Sequence, residues 1–375
     1  HGGGAASARY CAEEGARVTV TDLRSAEQLE ASVALLDDLP IRYVLGRHEI
    51  DDFREADIVV KNPAVPRTVP LLQEARRIET DISLFLNRCT SPILAITGTK
   101  GKSSAATALH HVLLGRFPDA RLGGNITVSP LTFLNDLSGS EPVVLELSSF
   151  QLGDLLLTSA GRSGERPSFT ISAITNLLPD HQDYYGSMQE YAADKALVFA
   201  GQSPDGWCVL SNEDPFSRAY RPPHQEHVVR VTMESPLPPT GVVAGFDRGA
   251  GIVRLAPDLP PVSLVEPDVR VIGRHMRTNL LFAGVMAHIY GLRPEEIRER
   301  TASFAGVPHR LETVAMVDGV RYVNDSAATI AEAAFAAIES FPEPVHLIAG
   351  GSDKGLPLDA FAAISRGARS LHLLA

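Results

Sequence analysis

The residues best suited to chemistry form a glycine-bearing turn, Thr97 to Ser104, between an apolar run and a helical pattern. The glycines would let successive backbone N–H groups point into one concavity, and the N-terminus of the following helix adds partial positive charge. Lys102 would then reach the outer phosphates of a nucleotide, and the Ser103 hydroxyl would bind a magnesium ion. The spacing departs from the standard P-loop, because Ile96 stands five residues before Gly101. Taken alone, this loop is compatible with a kinase, a switch or a ligase.

A carboxylate, Glu146, lies inside the apolar run from Val143 to Leu147. A charge in such a run is costly unless it is paired or bound to a metal. Beside a phosphate loop, magnesium is the natural partner of this carboxylate, and an arginine elsewhere in the chain is the alternative. Ser148 and Gln151 follow it, where they would either hydrogen-bond a polar substrate or cap a turn.

Ligand-type side chains also follow the apolar run 169–175, where His181 stands among two acids and an amide. Functional and structural interpretations of His181 both stay open at this point. Lys195 lies in a helical pattern suited to packing on a sheet, and from the residues alone it is interpreted as a surface lysine. A second candidate anion loop ends at Lys354, which would lie near Arg310 and Asp325 in one cleft.

The beginning of the chain gives a weaker indication of a ligand-binding site. Gly2 to Gly4 precede a predicted helix and a predicted strand that ends in Asp22. An acid at that point of a Rossmann-like unit commonly accepts hydrogen bonds from a ribose or base, and the alternative is a tight turn with a solvated aspartate. The loop Asn62 to Pro66 follows another predicted strand, at a position where open parallel sheets bind ligands.

Alternating strand and helix patterns predict an α/β chain with a parallel sheet. A helix is predicted over Leu71–Arg77, and the runs 207–211, 228–232 and 252–255 are predicted to form an antiparallel or mixed edge. Asp318-Gly319 predicts a hairpin, and Val345–Ala349 a buried strand. Domain boundaries are expected near residues 90 and 303, which gives segments 1–90, 91–303 and 304–375.

Composition narrows the class of protein. The 375 residues include 34 basic and 45 acidic ones, and this balance argues against nucleic-acid or membrane-surface binding. Three scattered cysteines predict a reducing, cytoplasmic location without disulfides or a zinc site. The apolar segment Leu280–Leu292 is too short to span a bilayer, and no signal peptide is recognised. We expect the sequence to be a fragment at both ends.

Taken together, these motifs resemble the ATP-dependent Mur ligases. The shared pieces follow the family's order over nearly the whole chain: Thr97–Ser103, Gly124–Ile126, Leu145–Leu152, Pro179–His181 with Lys195 downstream, Pro308–Glu312, Asn324–Ser326, and Gly350–Gly351 with Lys354. The short P-loop is shared with folylpolyglutamate synthases, whereas Glu146 to Gln151 resembles the D-glutamate-adding branch.

The resemblance implies three domains: a Rossmann-like N-terminal domain for a UDP group, a central P-loop ATPase with a parallel sheet, and a truncated Rossmann-like C-terminal domain for the amino acid. It implies that ATP phosphorylates the carboxylate of UDP-N-acetylmuramoyl-L-alanine and that D-glutamate attacks the acyl phosphate. This reaction belongs to cell-wall precursor synthesis, in a chain expected to be monomeric.

The resemblance also assigns residues. Two magnesium ions are implied, one held by Ser103 and Glu146, the other by His181 and a carbamylated Lys195, and Lys102 binds the outer phosphates. ATP is implied to contact Gly98, Thr99, Lys100, Gly101, Lys102, Ser103, Ser104, Asn279, Arg310 and Asp325. Substrate contacts are implied for Asp22, Asn125, Ser148, Gln151 and Lys354.

The sequence departs from the family pattern at Met276, Ala327 and Thr127, where Asn, Lys and Gly are usual. The first departure leaves Asn279 alone as the predicted nucleotide contact of its motif. Ala327 leaves the amino-acid substrate open between D-glutamate, L-glutamate and another amino acid. Alternatives of other classes are a non-catalytic nucleotide-binding module, which would not need Glu146, His181 and Lys195 together, and a dinucleotide oxidoreductase.

Overall fold

The computed structural model describes residues 3–126, 128–233, 237–238, 240–328, 331–351 and 367–374. In its N-terminal part, two parallel strand pairs alternate with helices. The elements are α1 (Gly3–Glu13), β1 (Thr19–Asp22), α2 (Ala26–Ala34), β2 (Arg42–Leu45), α3 (Ile50–Glu55), β3 (Val59–Val60), β4 (Ile78–Glu79) and α4 (Asp81–Leu86). The predicted helix over Leu71–Arg77 is wrong: a 3₁₀ turn ends at Gln73, because the chain must extend to pair β4 with β3.

One large sheet forms the centre of the molecule. Its strands are β5 (Ile93–Thr97), β6 (Arg121–Gly124), β7 (Val143–Glu146), β8 (Ile171–Ile174), β9 (Trp207–Ser211), β10 (Val228–Val231), β11 (Val243–Asp247), β12 (Ala250–Arg254) and β13 (Val262–Val265). Within the described residues they lie in the order β13-β12-β11-β10-β9-β8-β5-β7-β6. The strands from β6 to β11 along this order pair in parallel, and the β11–β12 and β12–β13 pairs are antiparallel.

The sheet does have a mixed edge, as predicted. The prediction is wrong for β9 and β10, because these two strands belong to the parallel part of the sheet. Parallel neighbours need crossover connections, and several of these connections contain helices. The crossover helices are α5 (Lys102–Leu113), α6 (Ser149–Asp154), α7 (Ser159–Arg162), α8 (Met188–Ala196) and α9 (Pro215–Ala219). Two further helices, α10 (Arg274–Ile289) and α11 (Pro294–Ser303), follow β13.

Apolar side chains cover both faces of the sheet. On β5, Leu94 and Ile96 belong to the core that contains α5 and α10. Ile93 and Ala95, which alternate with these two residues along the strand, belong to a second core that includes α4 residues. A central strand that is apolar on both faces is typical of a parallel sheet between helix layers. None of the helices in the described ranges is long and apolar enough to cross a membrane.

The C-terminal part begins with a hairpin of β14 (Glu312–Val317) and β15 (Val320–Asn324), followed by α12 (Ala331–Glu339), β16 (His346–Gly350) and β17 (Ser370–Leu374). The predicted hairpin is confirmed, with φ of 49° at Asp318 and 79° at Gly319. The strand predicted at 345–349 is confirmed by β16, but the prediction that it is buried is wrong, since Ile348 is 67% exposed. Within the described residues, β17 is the strand that pairs with β16, and one face of this pair stays open.

Candidate active site

The glycine turn predicted to bind phosphate lies at the carboxyl end of β5, where two close contacts define it. Gly98 has φ of 146° and Gly101 has φ of 84°, conformations that side chains rarely adopt. A β-carbon on Gly98 would clash with the Thr175 hydroxyl, and one on Gly101 would clash with the Asn279 amide. Both positions therefore require glycine, and Asn279 lies directly against the loop.

The end of β8 holds the loop in place. The Lys100 N–H donates to Asn176 Oδ1 at 2.9 Å, and the Lys100 carbonyl accepts from Thr175 Oγ1 at 2.7 Å and from Asn176 Nδ2 at 2.9 Å. Thr99 Oγ1 accepts from the Leu178 N–H at 3.0 Å and lies 3.0 Å from the Tyr191 hydroxyl. The loop is thus shaped by side chains before any nucleotide contacts it.

Lys102 begins α5 at the rim of this loop. Its Nζ donates to the Thr99 carbonyl at 2.9 Å. Burial lowers the pKa of Lys102, while the negative charge of Glu146 acts in the opposite direction. Ser103 is half-buried beside it, and Ser104 is buried on the inner side of the helix. Within the described residues, Lys102 Nζ forms no ion pair with a carboxylate, and its hydrogen-bond partner is the Thr99 carbonyl.

Glu146, at the end of β7, is 1% exposed. Its Oε1 accepts a hydrogen bond from Asn125 Nδ2 at 3.0 Å, and its Oε2 has no hydrogen-bond partner in the described part of the chain. In the described part of the chain, the opposite charge near it comes from Lys102 and Lys195, and the arginine considered as an alternative is not found there. A buried carboxylate oxygen without a partner is a suitable ligand for a divalent cation.

The interpretation of Lys195 as a surface lysine is wrong. Its side chain is 2% exposed, with Nζ 3.5 Å from Thr97 Oγ1 and 4.8 Å from the centre of the Tyr191 ring. Tyr191 and Lys195 are four residues apart on α8 and therefore share the face that packs against the end of β5. Burial, reinforced by the charge of Lys102, lowers the pKa of Lys195 well below its usual value.

His181 lies at the exposed rim of the same end of the sheet. It has φ of 53°, and its ring is 4.9 Å from the Phe150 ring and 6.2 Å from the Tyr191 ring. The neighbouring Asp180 forms an ion pair with Lys100 at 3.1 Å. Burial acts to raise the pKa of Asp180, but this ion pair outweighs it and lowers the pKa. Among the described residues, no three His, Cys, Asp or Glu side chains are grouped to hold a metal.

The predicted nucleotide contacts after residue 300 approach from the C-terminal part. Arg310 is exposed, and its charge contributes to the lowered pKa of Lys102. Asp325 Oδ1 accepts a hydrogen bond from the Leu311 N–H at 3.0 Å, and burial raises the pKa of Asp325. Arg310 precedes the β14–β15 hairpin and Asp325 follows it, so the two residues lie at its open end.

The predicted substrate contacts are dispersed. Asp22 forms an ion pair with Arg24 at 2.9 Å. Ser148 and Gln151 hydrogen-bond each other and cap α6, which is the turn-capping alternative; the Ser-x-x-Gln spacing is itself a capping signature. Lys354 and Thr127 lie outside the described residues.

The site residues predicted from the sequence did not include Thr175, Asn176 and Tyr191. Thr175 and Asn176 hold the loop, whereas Tyr191 lies close to the Thr99 hydroxyl and packs against the Lys195 amine. The first two follow directly after a buried strand, and that position could have identified them. Nothing in the local sequence distinguishes Tyr191 from an ordinary core tyrosine. Its burial raises the pKa of Tyr191 to about 12.

Comparison with known proteins adds independent evidence. The Mur ligase middle domain family matches residues 96–287. The UDP-N-acetylmuramoylalanine–D-glutamate ligase of Roseiflexus sp. (strain RS-1) is 43% identical over 370 residues, which cover 96% of this chain and 78% of that protein. The ligase of the same name from Treponema pallidum (strain Nichols) is 35% identical and covers 100% of this chain and 82% of that protein.

The chain belongs to the UDP-N-acetylmuramoylalanine–D-glutamate ligases of the Mur ligase family. It is accordingly an ATP-dependent ligase that joins an acid to an amino acid. The resemblance and the enzyme class predicted from the sequence are confirmed.

Solved Mur ligase structures share the fold. The UDP-N-acetylmuramate–alanine ligase of Thermotoga maritima superimposes with a TM-score of 0.59 at 19% identity, covering 99% of this chain and 83% of that one. The MurF ligase of Thermotoga maritima in complex with ADP gives 0.56 at 16% identity, covering 96% and 84%. The predicted α/β Mur ligase fold is confirmed.

Proposed function

We propose that this chain joins D-glutamate to UDP-N-acetylmuramoyl-L-alanine in peptidoglycan precursor synthesis. One observation carries the proposal: two lysines and a carboxylate meet at one end of the central sheet, where Lys195 and Glu146 are buried and Lys102 is half-buried. The reacting groups, a carboxylate and a triphosphate, are both anions that repel each other. Preorganised cations in a poorly solvated site overcome that repulsion most effectively.

In the proposed reaction, a carboxylate oxygen of the UDP substrate attacks the γ-phosphorus of ATP, and the bond to ADP breaks. The amine of D-glutamate then attacks the acyl carbon, loses a proton, and phosphate leaves as the amide forms. Lys102 would donate to the outer phosphates, while the turn Gly98–Ser104 would surround them. Asn279, Arg310 and Asp325 would face the rest of the nucleotide.

Carbamylation of Lys195 is supported by its burial. Only a neutral amine adds to carbon dioxide, and a buried lysine next to another cation is neutral at lower pH than an exposed one. In that step the amine nitrogen bonds to the carbon of CO₂ and releases one proton. A cation is thereby replaced with an anionic oxygen ligand, and the repulsion between Lys195 and Lys102 becomes an attraction.

We propose that Ser103 and Glu146 hold one magnesium ion and that His181 and carbamylated Lys195 hold the second. The unpartnered Oε2 of Glu146 supports the first site, since Mg²⁺ prefers oxygen ligands. Bound magnesium would neutralise negative charge on the phosphates. His181 would have to approach from the rim, and its exposure leaves it free to do so.

The substrates are assigned to three proposed domains. Residues 1–90 would bind the UDP group through Asp22, and residues 91–303 would bind ATP. Asn125, Ser148 and Gln151 would contact the muramoyl-alanine part. Residues 304–375 would receive the amino acid, with Lys354 near the glutamate or the acyl phosphate. We propose a cytoplasmic monomer.

Phosphate release tests the proposal directly. The chain, completed at both ends from its gene, would be given ATP and UDP-N-acetylmuramoyl-L-alanine with D-glutamate, L-glutamate or no amino acid. Release that requires D-glutamate is the expected result. Dependence on L-glutamate would keep the mechanism and change the product, an outcome to which Ala327 is relevant. Release independent of any amino acid would overturn the proposed ligation.

A further inference from the structure

The loop between β3 and β4 connects two candidate sites. Its first residues lie near the start of α1, because a β-carbon on Gly4 would be 4.0 Å from Asn62 Nδ2. The N-terminal glycines and Asp22 belong to the part of the chain proposed to bind the UDP group. Further along, the same loop carries Arg67, which reaches the helix that contains Lys195.

Arg67 contacts two helices of the central part. Its Nε donates to the Tyr184 hydroxyl at 3.2 Å, and its Nη1 donates to the Gly153 carbonyl of α6 at 3.4 Å. Its Nη2 forms an ion pair with Asp194 of α8. Asp194 also accepts a hydrogen bond from the Tyr185 hydroxyl at 2.9 Å. Because Asp194 immediately precedes Lys195, these contacts fix the backbone from which the Lys195 side chain projects.

A second buried ion pair anchors the beginning of the loop. Lys61 Nζ lies 2.5 Å from Asp154 Oδ2, and both side chains are 1% exposed. Arg67 Nε is 3.8 Å from the other oxygen of Asp154. When one partner of such a buried ion pair is removed, the charge that remains is unpaired and destabilises the folded protein. The part of the loop from Lys61 to Arg67 is therefore attached by ion pairs to α6 and α8.

The network leaves no space at its centre. A β-carbon on Gly153 would clash with the Asp194 carboxylate and would lie 2.7 Å from Arg67 Nη2. A methyl group at this position would displace the ion pair while both charges remain in the chain. This gives a way to disturb the network without deleting either of its members.

We propose that Arg67 is a positioning residue for Lys195. By holding Asp194, it fixes the rotation of α8 and keeps the Lys195 amine against Thr97 and Tyr191, away from water. The loop thereby makes the geometry at Lys195 depend on the part of the chain that precedes the central sheet. This inference rests on the carbamylation of Lys195 proposed above.

The test measures the Lys195 carbamate and not the ligase activity. The full chain, unlabelled, would be incubated with ¹³C-bicarbonate at a limiting concentration, and the carbamate carbon would be observed by ¹³C NMR, with Lys195→Ala to assign the signal. Arg67→Ala should lower the occupancy about 10-fold. Arg67→Lys, which keeps the charge but loses the forked contacts, should give an intermediate value. Arg54→Ala is the matched control, since it removes an exposed ion pair with Glu74 in the same part of the chain and should leave the signal unchanged.

Thermal unfolding of each variant separates positioning from simple destabilisation. If Arg67→Ala is not folded at the temperature of the experiment, Gly153→Ala decides, with the same loss of signal expected. A wild-type carbamate signal in a folded Arg67→Ala or Gly153→Ala variant would overturn this inference alone. Absence of the signal from the unsubstituted chain would overturn the carbamate assignment, and this inference with it.

Discussion

The two regions proposed to contact ATP differ in how they hold their charged groups. At the end of the central sheet, Glu146 is 1% and Lys195 2% exposed, and the phosphate loop is fixed by β8. In the C-terminal part, Arg310 is exposed, and the neighbouring strand β14 exposes Met316 at 60%. The groups for phosphate chemistry are thus organised by the sheet itself. Those from the C-terminal part are more exposed to solvent, so their substitution should affect binding more than chemistry.

The largest effect is expected for Lys195→Ala. Removal of a desolvated group beside the reacting phosphates should lower kcat for phosphate release by about 10²–10³-fold. Small carboxylic acids should partly restore the activity, because they can supply the missing oxygen ligand. Full activity of this variant without any added acid would remove Lys195 from the mechanism.

The second largest effect is expected for Glu146→Gln. The amide keeps the shape of the side chain but loses the charge that opposes Lys102 and Lys195, so the magnesium concentration needed for half-maximal activity should rise about 10–100-fold. Glu141→Gln is the matched control, because Glu141 precedes the same strand but accepts its hydrogen bonds from Ser138 and Ser140. An unchanged magnesium requirement in Glu146→Gln would contradict the proposed metal site.

Arg310→Ala should weaken ATP binding while the central site stays intact. Loss of one charge-assisted contact, about 1.5 kcal/mol or roughly 10-fold in Kd, is expected in calorimetric titrations. The exposed Arg321 of β15 provides the control, since Arg321→Ala should bind ATP normally. A fall in kcat as large as that of Lys195→Ala would erase the distinction between the two regions.

Gly319→Ala should have the smallest effect on catalysis. Gly319 has φ of 79°, and a β-carbon there would meet nothing within 4 Å in the described structure, so the cost is about 1 kcal/mol of backbone strain. Thermal unfolding should detect it in the C-terminal part, and the carbamate signal of Lys195 should not change. A variant that loses that signal would show that the hairpin supports the central site.

Local patterns explain what the sequence could predict. The phosphate loop follows from a strand, two glycines and a helix within a dozen residues, and the hairpin follows from Asp318-Gly319 alone. The order of motifs was sufficient for the family. These features depend on neighbours along the chain, which a sequence displays directly.

Features that depend on tertiary packing could not be predicted from the sequence. Lys195 looks like a surface lysine because its burial depends on Tyr191 and on the end of β5, which lies about 100 residues earlier. The contacts of Arg67 with Asp194 join segments 127 residues apart, and no local spacing indicates them. The exposure of β16 likewise depends on what covers a sheet face and not on the apolar run that forms the strand.

An isotope experiment tests the central claim most directly. UDP-N-acetylmuramoyl-L-alanine labelled with ¹⁸O in its carboxylate would be converted by the completed chain with ATP and D-glutamate, and the released phosphate would be analysed by mass spectrometry. An acyl phosphate predicts one ¹⁸O atom in each phosphate and one in the amide carbonyl of the product, because the attacking oxygen leaves with phosphorus. Phosphate that carries no ¹⁸O would contradict the proposed mechanism.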